Sequence, residues 1–201
     1  EESDSVSSQM MRLLDYLKSL PVNISIIDKI EADDTIAYLS QKLKDDVIIY
    51  SADQDFLQLV NERITVYSPI KKKFYRPNDV FEQYEIHPYN FITMKCLMGD
   101  KSDNLPGVKG LGPKKLMKYF PEIGGKEKFT LQEAYQKATD KVEEHGIYGN
   151  VHLFKNQLEI NYELMCLEEI QLVEKDQKEL DELIETKPYN FNKAKFLGMY
   201  E

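Results

Sequence analysis

The sequence predicts an α/β fold, a parallel sheet flanked by helices and followed by a helical region. Three observations carry this. Short β-branched runs at 22–27 and 47–50 are separated by a segment with helical spacing, and strand–helix–strand with almost wholly apolar strands is the pattern of a parallel sheet covered on both faces. From Gly99 onward the apolar residues recur at helical spacing, with no further strand pattern. At 201 residues and 42% hydrophobic content, the chain is long enough to bury one core, or one core and a small helical appendage, without disulfides.

In order along the chain, Met10, Met11, Leu13, Leu14 and Leu17 put a helix over 6–19, which Pro21 ends. A strand over 22–27 leads to a helix over 33–43 whose one face carries Ile36, Ala37, Leu39, Ser40 and Leu43. Strands follow at 47–50 and 64–67, and 71–75 returns as a hairpin partner or an edge. Asn78 or Asp79 caps a helix reaching Tyr84, and Pro88 opens another through Phe91, Met94 and Leu97 to Gly99. Further helices are expected near 113–120, 130–144, 150–159 and 176–185, broken at Gly124-Gly125 and at Gly146 to Gly149.

Two cysteines, Cys96 and Cys166, match no zinc or redox spacing and are expected as free, buried thiols in a reducing, cytoplasmic setting. No apolar run approaches the roughly 18 residues that span a bilayer, so no membrane partner is expected. The net charge of −9 argues on its own against a polyanionic partner. Its distribution points the other way: residues 104–121 hold Lys109, Lys114, Lys115 and Lys118 with no acid, and 71–76 read Lys-Lys-Lys-Phe-Tyr-Arg.

The negative charge is concentrated in three clusters, Glu31-Ala-Asp33-Asp34, Asp53-Gln-Asp55 and Asp100-Lys-Ser-Asp103, and in the stretch 159–185. Ligands of an open parallel sheet collect beyond the carboxyl ends of its strands. Asp53 and Asp55 follow the strand at 47–50 and Glu31 follows that at 22–27, so the clusters should meet at one edge. Taken alone, Asp33 and Asp34 suit the first turn of a helix, where the macrodipole favours acids. Carboxylates gathered in one cleft repel unless cations neutralise them, and hard oxygens suit divalent metal. Two such ions about 4 Å apart could activate water and stabilise the leaving oxygen of a phosphodiester. His87, His145 and His152 are scattered and take no part in this scheme.

Beside the third cluster runs Gly107-Val-Lys109-Gly110-Leu111-Gly112-Pro113-Lys114-Lys115. Its glycines allow tight turns and Pro113 opens a helix, whose N-terminal amides suit phosphate. Such a segment grips backbone without reading bases.

In order and spacing, Glu31-Ala-Asp-Asp34, Ser51-Ala-Asp-Gln-Asp55, Met98-Gly-Asp-Lys-Ser-Asp-Asn104 and Gly107-Val-Lys-Gly-Leu-Gly-Pro-Lys114 resemble the 5′-nuclease or flap endonuclease superfamily. Within it the likeness is to phage 5′-3′ exonucleases of the ribonuclease H type and to the 5′-nuclease domain of bacterial DNA polymerase I. It spans roughly 10–165. The resemblance implies a PIN-like sheet followed by a helix-3-turn-helix, with an acidic nuclease core over 1–99, a duplex-binding region over 100–165 and a helical tail over 166–201. It implies two Mg2+, with Mn2+ able to substitute: one on Glu31 and Asp33, the other on Asp53, Asp55, Asp100 and Asp103, with Asp34 acting through water between them. It also implies K+ on the backbone carbonyls of Gly107, Val108 and Leu111, and DNA contacts from Lys109, Gly110, Gly112, Lys114 and Lys115.

The implied substrates are DNA with 5′ ends or flaps and RNA–DNA hybrids, cleaved during primer removal in a bacterium or a phage-infected host. The family's opening metal-binding strand and helical arch have no counterpart before Glu1. A fragment or a split protein with a separate N-terminal part is therefore expected, and a non-catalytic branched-DNA-binding module is the alternative. A ribonuclease of the PIN type shares the acidic sheet edge but gives no reason for the glycine segment or the helical tail.

Overall fold

The computed structural model describes residues 2–188 and 190–198. Ala32–Ile170 form one compact unit, and the described residues of 1–31 and 171–201 form another. The smaller unit opens with α1 (Glu2–Leu17). The expected strand over 22–27 is not formed: these residues pair with no strand. β-branched residues favour an extended backbone, but only a neighbour's ladder of hydrogen bonds makes a strand.

The larger unit begins with α2 (Ala32–Lys42), β1 (Val47–Tyr50) and a 3-10 turn, Asp55–Leu59. Strand β2 (Ile64–Ser68) runs parallel to β1, with Val47 opposite Ile64 and Tyr50 opposite Tyr67. Strand β3 (Lys73–Tyr75) returns antiparallel as the hairpin partner, with Val66 opposite Tyr75. Period-two alternation buries Ile64, Val66 and Ser68. That face packs on Phe56, Leu57 and Leu59 of the 3-10 turn and on Ala37. The other face is open rather than covered as expected. Ile48 and Tyr50 are 63% and 70% exposed, and Tyr50, Tyr67 and Phe74 stack in register across it at 5.3 and 4.7 Å. The hairpin makes the sheet mixed, and antiparallel pairs tolerate a solvated face.

Helix α3 (Pro77–Tyr84) starts after Arg76 rather than at Asn78 or Asp79. Proline suits the first helical position, and Asp79 Oδ2 reaches back to accept the Arg76 N–H at 2.9 Å. Helix α4 (Pro88–Met98) carries Phe91, Ile92, Cys96 and Leu97 buried. Phe91 joins the core beneath the sheet and Leu97 the core of the helical region, so α4 is a wall common to both. Its buried polar groups are satisfied: Asn90 Nδ2 donates to Ile123 O and Glu127 O at 2.9 and 3.0 Å, and Asn90 Oδ1 accepts the Phe129 N–H at 2.7 Å.

The helical region continues with α5 (Pro113–Tyr119), α6 (Leu131–Asp140), α7 (Gly146–Leu153) and α8 (Lys155–Met165). The helix expected over 130–144 stops at Asp140, and the one over 150–159 is two helices meeting at Phe154. Thr130 caps α6, its Oγ1 accepting the Glu133 N–H at 3.2 Å while Glu133 Oε2 accepts the Thr130 N–H at 2.7 Å. Cys96 and Cys166 are free, and burial pushes the Cys96 thiol up to about 12. The histidines have structural places. His87 stacks between Phe81 and Tyr89, His145 Nδ1 accepts the Ile147 N–H at 3.0 Å, and His152 lies 3.0 Å from Thr139 Oγ1.

The chain then rejoins the smaller unit with α9 (Glu174–Glu185) and α10 (Lys193–Leu197). Asn23, from the extended segment, donates through Nδ2 to Leu183 O and Thr186 O at 3.2 and 2.8 Å, which satisfies carbonyls left open at a helix end.

Gly99 and Gly107 bring two backbone stretches together after α4. Gly99 has φ +72°, and a Cβ on Gly107 would lie 2.0 Å from Met98 O. The glycine segment docks there through Val108 N–H to Leu97 O at 2.9 Å. Gly112, by contrast, has no heavy atom within 4 Å of an added Cβ. Gly107→Ala is therefore expected to cost about 3 kcal/mol or more of unfolding free energy and Gly112→Ala under about 1, as read by urea denaturation.

Candidate metal centre

The loop after β1 is shaped by its own acids. The Asp53 N–H donates to Ser51 Oγ at 3.1 Å and Asp53 Oδ1 accepts the Asp55 N–H at 2.9 Å, an Asx turn that starts the 3-10 segment. Asp55 is its first residue. Buried Gln58 holds this turn in place: its Nε2 donates to Asp55 O and Met165 O at 2.9 and 3.0 Å, and its Oε1 accepts the Leu167 N–H at 2.8 Å.

Asp100 leaves the end of α4 at Gly99, and its loop is closed by reciprocal backbone bonds with Leu105, Asp100 N–H to Leu105 O at 2.9 Å and Leu105 N–H to Asp100 O at 2.7 Å. Asp100 Oδ1 accepts the Ser102 N–H at 2.8 Å and the Ser102 hydroxyl. Between the two loops stands Lys95 of α4, only 8% exposed, whose Nζ donates to Asp55 Oδ1 and to Asp100 Oδ2, the latter at 2.5 Å. Carboxylate oxygens of Asp55, Asp100 and Asp103 lie within 4.8 Å of one another. Hard oxygen donors gathered in that space suit a divalent cation, which would share the Asp55 and Asp100 carboxylates with the Lys95 ammonium.

The other candidate residues are placed as follows. Asp53 is exposed on the loop with Asp55. Asp33 and Asp34 occupy the first turn of α2, where Asp33 Oδ1 accepts the Asp34 N–H at 3.0 Å. Neither they nor Asp53 joins the group of three. Glu31 is exposed and ends the first segment of the smaller unit; with no strand at 22–27, the reason given for its position at a sheet edge does not hold. Lys109, Lys114 and Lys115 are exposed. Lys109 O accepts from Asn150 Nδ2 at 2.9 Å, and Val108 O accepts the Leu111 N–H at 3.0 Å. Gly110 takes φ +79°, and Gly112 caps α5.

Lys95 is the residue that the sequence reading passed over. The signal was present: a lone lysine five residues before Asp100, inside a helix apolar on every side, has to be buried and therefore paired. Burial raises the Asp55 carboxyl despite the Lys95 hydrogen bond. The Lys95 and Ser102 donors hold the Asp100 carboxyl below its ordinary value. Burial opposes the Lys95 charge, but the bonds to Asp100 and Asp55 outweigh it and its pKa is raised.

Asp53, Asp55, Lys95, Asp100 and Ser102 line an open groove of about 800 Å³ together with Tyr84, Met94, Pro113 and Met117. The acids thus face the same space as the helix that follows the glycine segment.

A small mixed sheet carried on into a helical region, with acids after β1 and after α4 gathered beside a groove, defines an α/β module with a candidate metal-binding cluster. The sequence profile of the "5'-3' exonuclease, N-terminal resolvase-like domain" matches residues 1–85, and that of the "5'-3' exonuclease, C-terminal SAM fold" matches 86–188. The chain belongs to the 5′-3′ exonuclease family. It is 30% identical over 182 residues to a 5′-3′ exonuclease of Aquifex aeolicus, covering 87% of this chain and 59% of that protein. To DNA polymerase I of Bacillus subtilis it is 32% identical over 169 residues, covering 81% of this chain and 18% of the polymerase. The chain thus spans about three fifths of the first relative and a smaller share of the second. In fold it is similar to bacteriophage T5 D15 flap endonuclease, solved with DNA and metal ions, at a TM-score of 0.65 and 24% identity, over 80% of this chain and 62% of that one.

The two shifted carboxyls give opposite pH signatures. Asp100, held below 3.8, stabilises the fold above its unfolded pKa, and that contribution is lost as pH falls through the acid range. Asp55, raised, destabilises the fold as pH rises through its folded value. Lys95→Met removes the first cause of the Asp100 shift, so the acid-side loss of stability should flatten in denaturation series between about pH 2 and pH 6.

Proposed function

We propose that the chain carries a divalent-metal-dependent 5′-nuclease activity, hydrolysing phosphodiesters of DNA with 5′ ends or flaps and of RNA–DNA hybrids. The observation that carries this reading is the juxtaposition of Asp55, Asp100 and Asp103 with the groove that α5 also lines. Family membership and the acids gathered from the loops after β1 and α4 support it, and the relatives are described as exonucleases.

Asp55, Asp100 and Asp103 would hold one cation, with Asp53 beside them, and Asp33 would serve a second one in a two-metal arrangement, with Asp34 acting through water between the two. A bound divalent ion supplies neutralisation of phosphate charge and a water of lowered pKa. The chain's own part is positioning. Gln58 fixes the peptide of Asp55, the Leu105 bridge and Ser102 fix Asp100, and Lys95 draws the two carboxylates together. Lys109, Gly110, Gly112, Lys114 and Lys115 meet the phosphates of the duplex, and K+ on the carbonyls of Gly107, Val108 and Leu111 belongs to the same proposal.

On a 5′-flap duplex with Mg2+, Asp55→Asn and Asp103→Asn should each lower the cleavage rate by about a hundredfold or more; unchanged rates reject the site. Binding of flap DNA in the absence of any cleavage favours the branched-DNA-binding module instead. Replacing Lys114 and Lys115 together should lower the slope of log affinity against log salt by about two, measured by fluorescence anisotropy, and an unchanged slope rejects their phosphate role.

A further inference from the structure

The lysine run at the β2–β3 hairpin has no place in the site as described so far. Lys73, within β3, sets its Nζ 5.1 Å from the centre of the Tyr75 ring. Lys72 takes φ +50° at the tip and is exposed. Lys71 instead turns back onto the sheet end. Its N–H donates to Ser68 Oγ at 3.4 Å, its Nζ lies 5.8 Å from the centre of the Tyr75 ring, and it lines a crevice with Ser51, Asp53 and Gln54. Ala52, Asp53 and Gln54 are walls of that crevice and of the large groove as well.

The surrounding contacts fix where the ammonium can work. The Tyr84 hydroxyl donates to Gln54 Oε1 at 2.7 Å, and the Tyr75 hydroxyl to Gln83 Oε1 at 3.1 Å. Tyr84, Gln83 and Gln54 all line the groove. Hydrogen bonding to Tyr75 is the first cause of a raised Lys71 pKa, with Tyr84 contributing, so the group is a cation throughout the neutral range. No carboxylate is paired with Lys71 among the described ion pairs. The hairpin therefore brings a positive charge with no carboxylate partner among the described ion pairs to a crevice that shares Ala52, Asp53 and Gln54 with the groove.

We infer that Lys71 is a further phosphate-contacting point beside the groove, holding the sugar-phosphate backbone of the bound strand next to Asp53, in addition to the contacts proposed for Lys114 and Lys115. The inference rests on the nuclease reading above. A cation beside the carboxylates offsets the repulsion that they alone would exert on a polyanion. Tyr75 and Tyr84 supply the platform that keeps the flexible lysine stem directed at the crevice, so Lys71 acts on binding and alignment and transfers no proton.

The test is anisotropy of a labelled 5′-flap duplex against salt, with Ca2+ replacing Mg2+, for the unmodified chain, Lys71→Ala, Lys71→Arg, Lys72→Ala and the Lys114/Lys115 double variant. Lys71→Ala should weaken binding about threefold to tenfold and lower the salt slope by about one. Lys71→Arg should keep the slope, and Lys72→Ala should change neither quantity by more than about twofold. In cleavage assays with Mg2+, Lys71→Ala should raise KM more than it lowers kcat. If Lys71→Ala matches Lys72→Ala while the double variant loses slope, the Lys71 contact is overturned and the nuclease reading stands. If the unmodified chain shows no salt-dependent binding, that reading falls and this contact with it.

Discussion

The ammonium of Lys95 between Asp55 and Asp100 is the interaction on which the arrangement depends. Two acids from loops 45 residues apart in sequence (100 − 55) face each other at the ends of different elements. An unpaired buried charge carries a penalty of several kcal/mol. Lys95 offsets it, and does so from α4, the helix whose Phe91 and Leu97 serve the cores on its two sides. Position of the charge and integrity of the cores are thus joined in one element. The site cannot shift without α4, and α4 is held by Asn90 and Thr93 through the backbone of 123–129.

A second constraint is steric. The loop of Asp100 and Asp103 and the glycine segment after it can lie against the end of α4 only because Gly99 and Gly107 lack side chains. In the sequence the glycines read as turn formers or as backbone ligands. Gly107 also has a plainer duty, the close approach of its backbone to Met98. That approach lets Val108 bond to Leu97 and carries the chain across to Pro113, so the acids and α5 come to face one groove. Asn161 reinforces the crossing, its Nδ2 donating to Cys96 O and Pro106 O at 3.0 and 2.9 Å.

Much of this was legible from residue patterns. The β-branched runs at 47–50 and 64–67 and the prolines at 88 and 113 mark their elements because each acts locally, through strand packing or a preset φ. The four acidic and glycine motifs gave the family because chemistry fixes their spacing. What was not legible depends on partners distant in sequence. The run at 22–27 has strand composition but no strand beside it, so its composition cannot be expressed as a ladder. The outer face of β1 is apolar in type yet exposed, since nothing in Ile48 or Tyr50 encodes what would lie over them. Lys95 was hidden because a spacing argument counts apolar positions and treats the lysine between them as a surface residue.

Similar logic separates the lysines. Lys71 and Lys72 are alike in sequence, and only the fold distinguishes a charge beside the Asp53 crevice from one at a hairpin tip. No helix among the described residues is long and apolar enough to cross a membrane. The most direct measurement of the central claim is anomalous diffraction from crystals of the chain grown with Mn2+. The account predicts a manganese peak bonded to carboxylate oxygens of Asp55, Asp100 and Asp103. Saturating Mn2+ with no peak among those three side chains, or with the three spread beyond reach of a common ion, would contradict it.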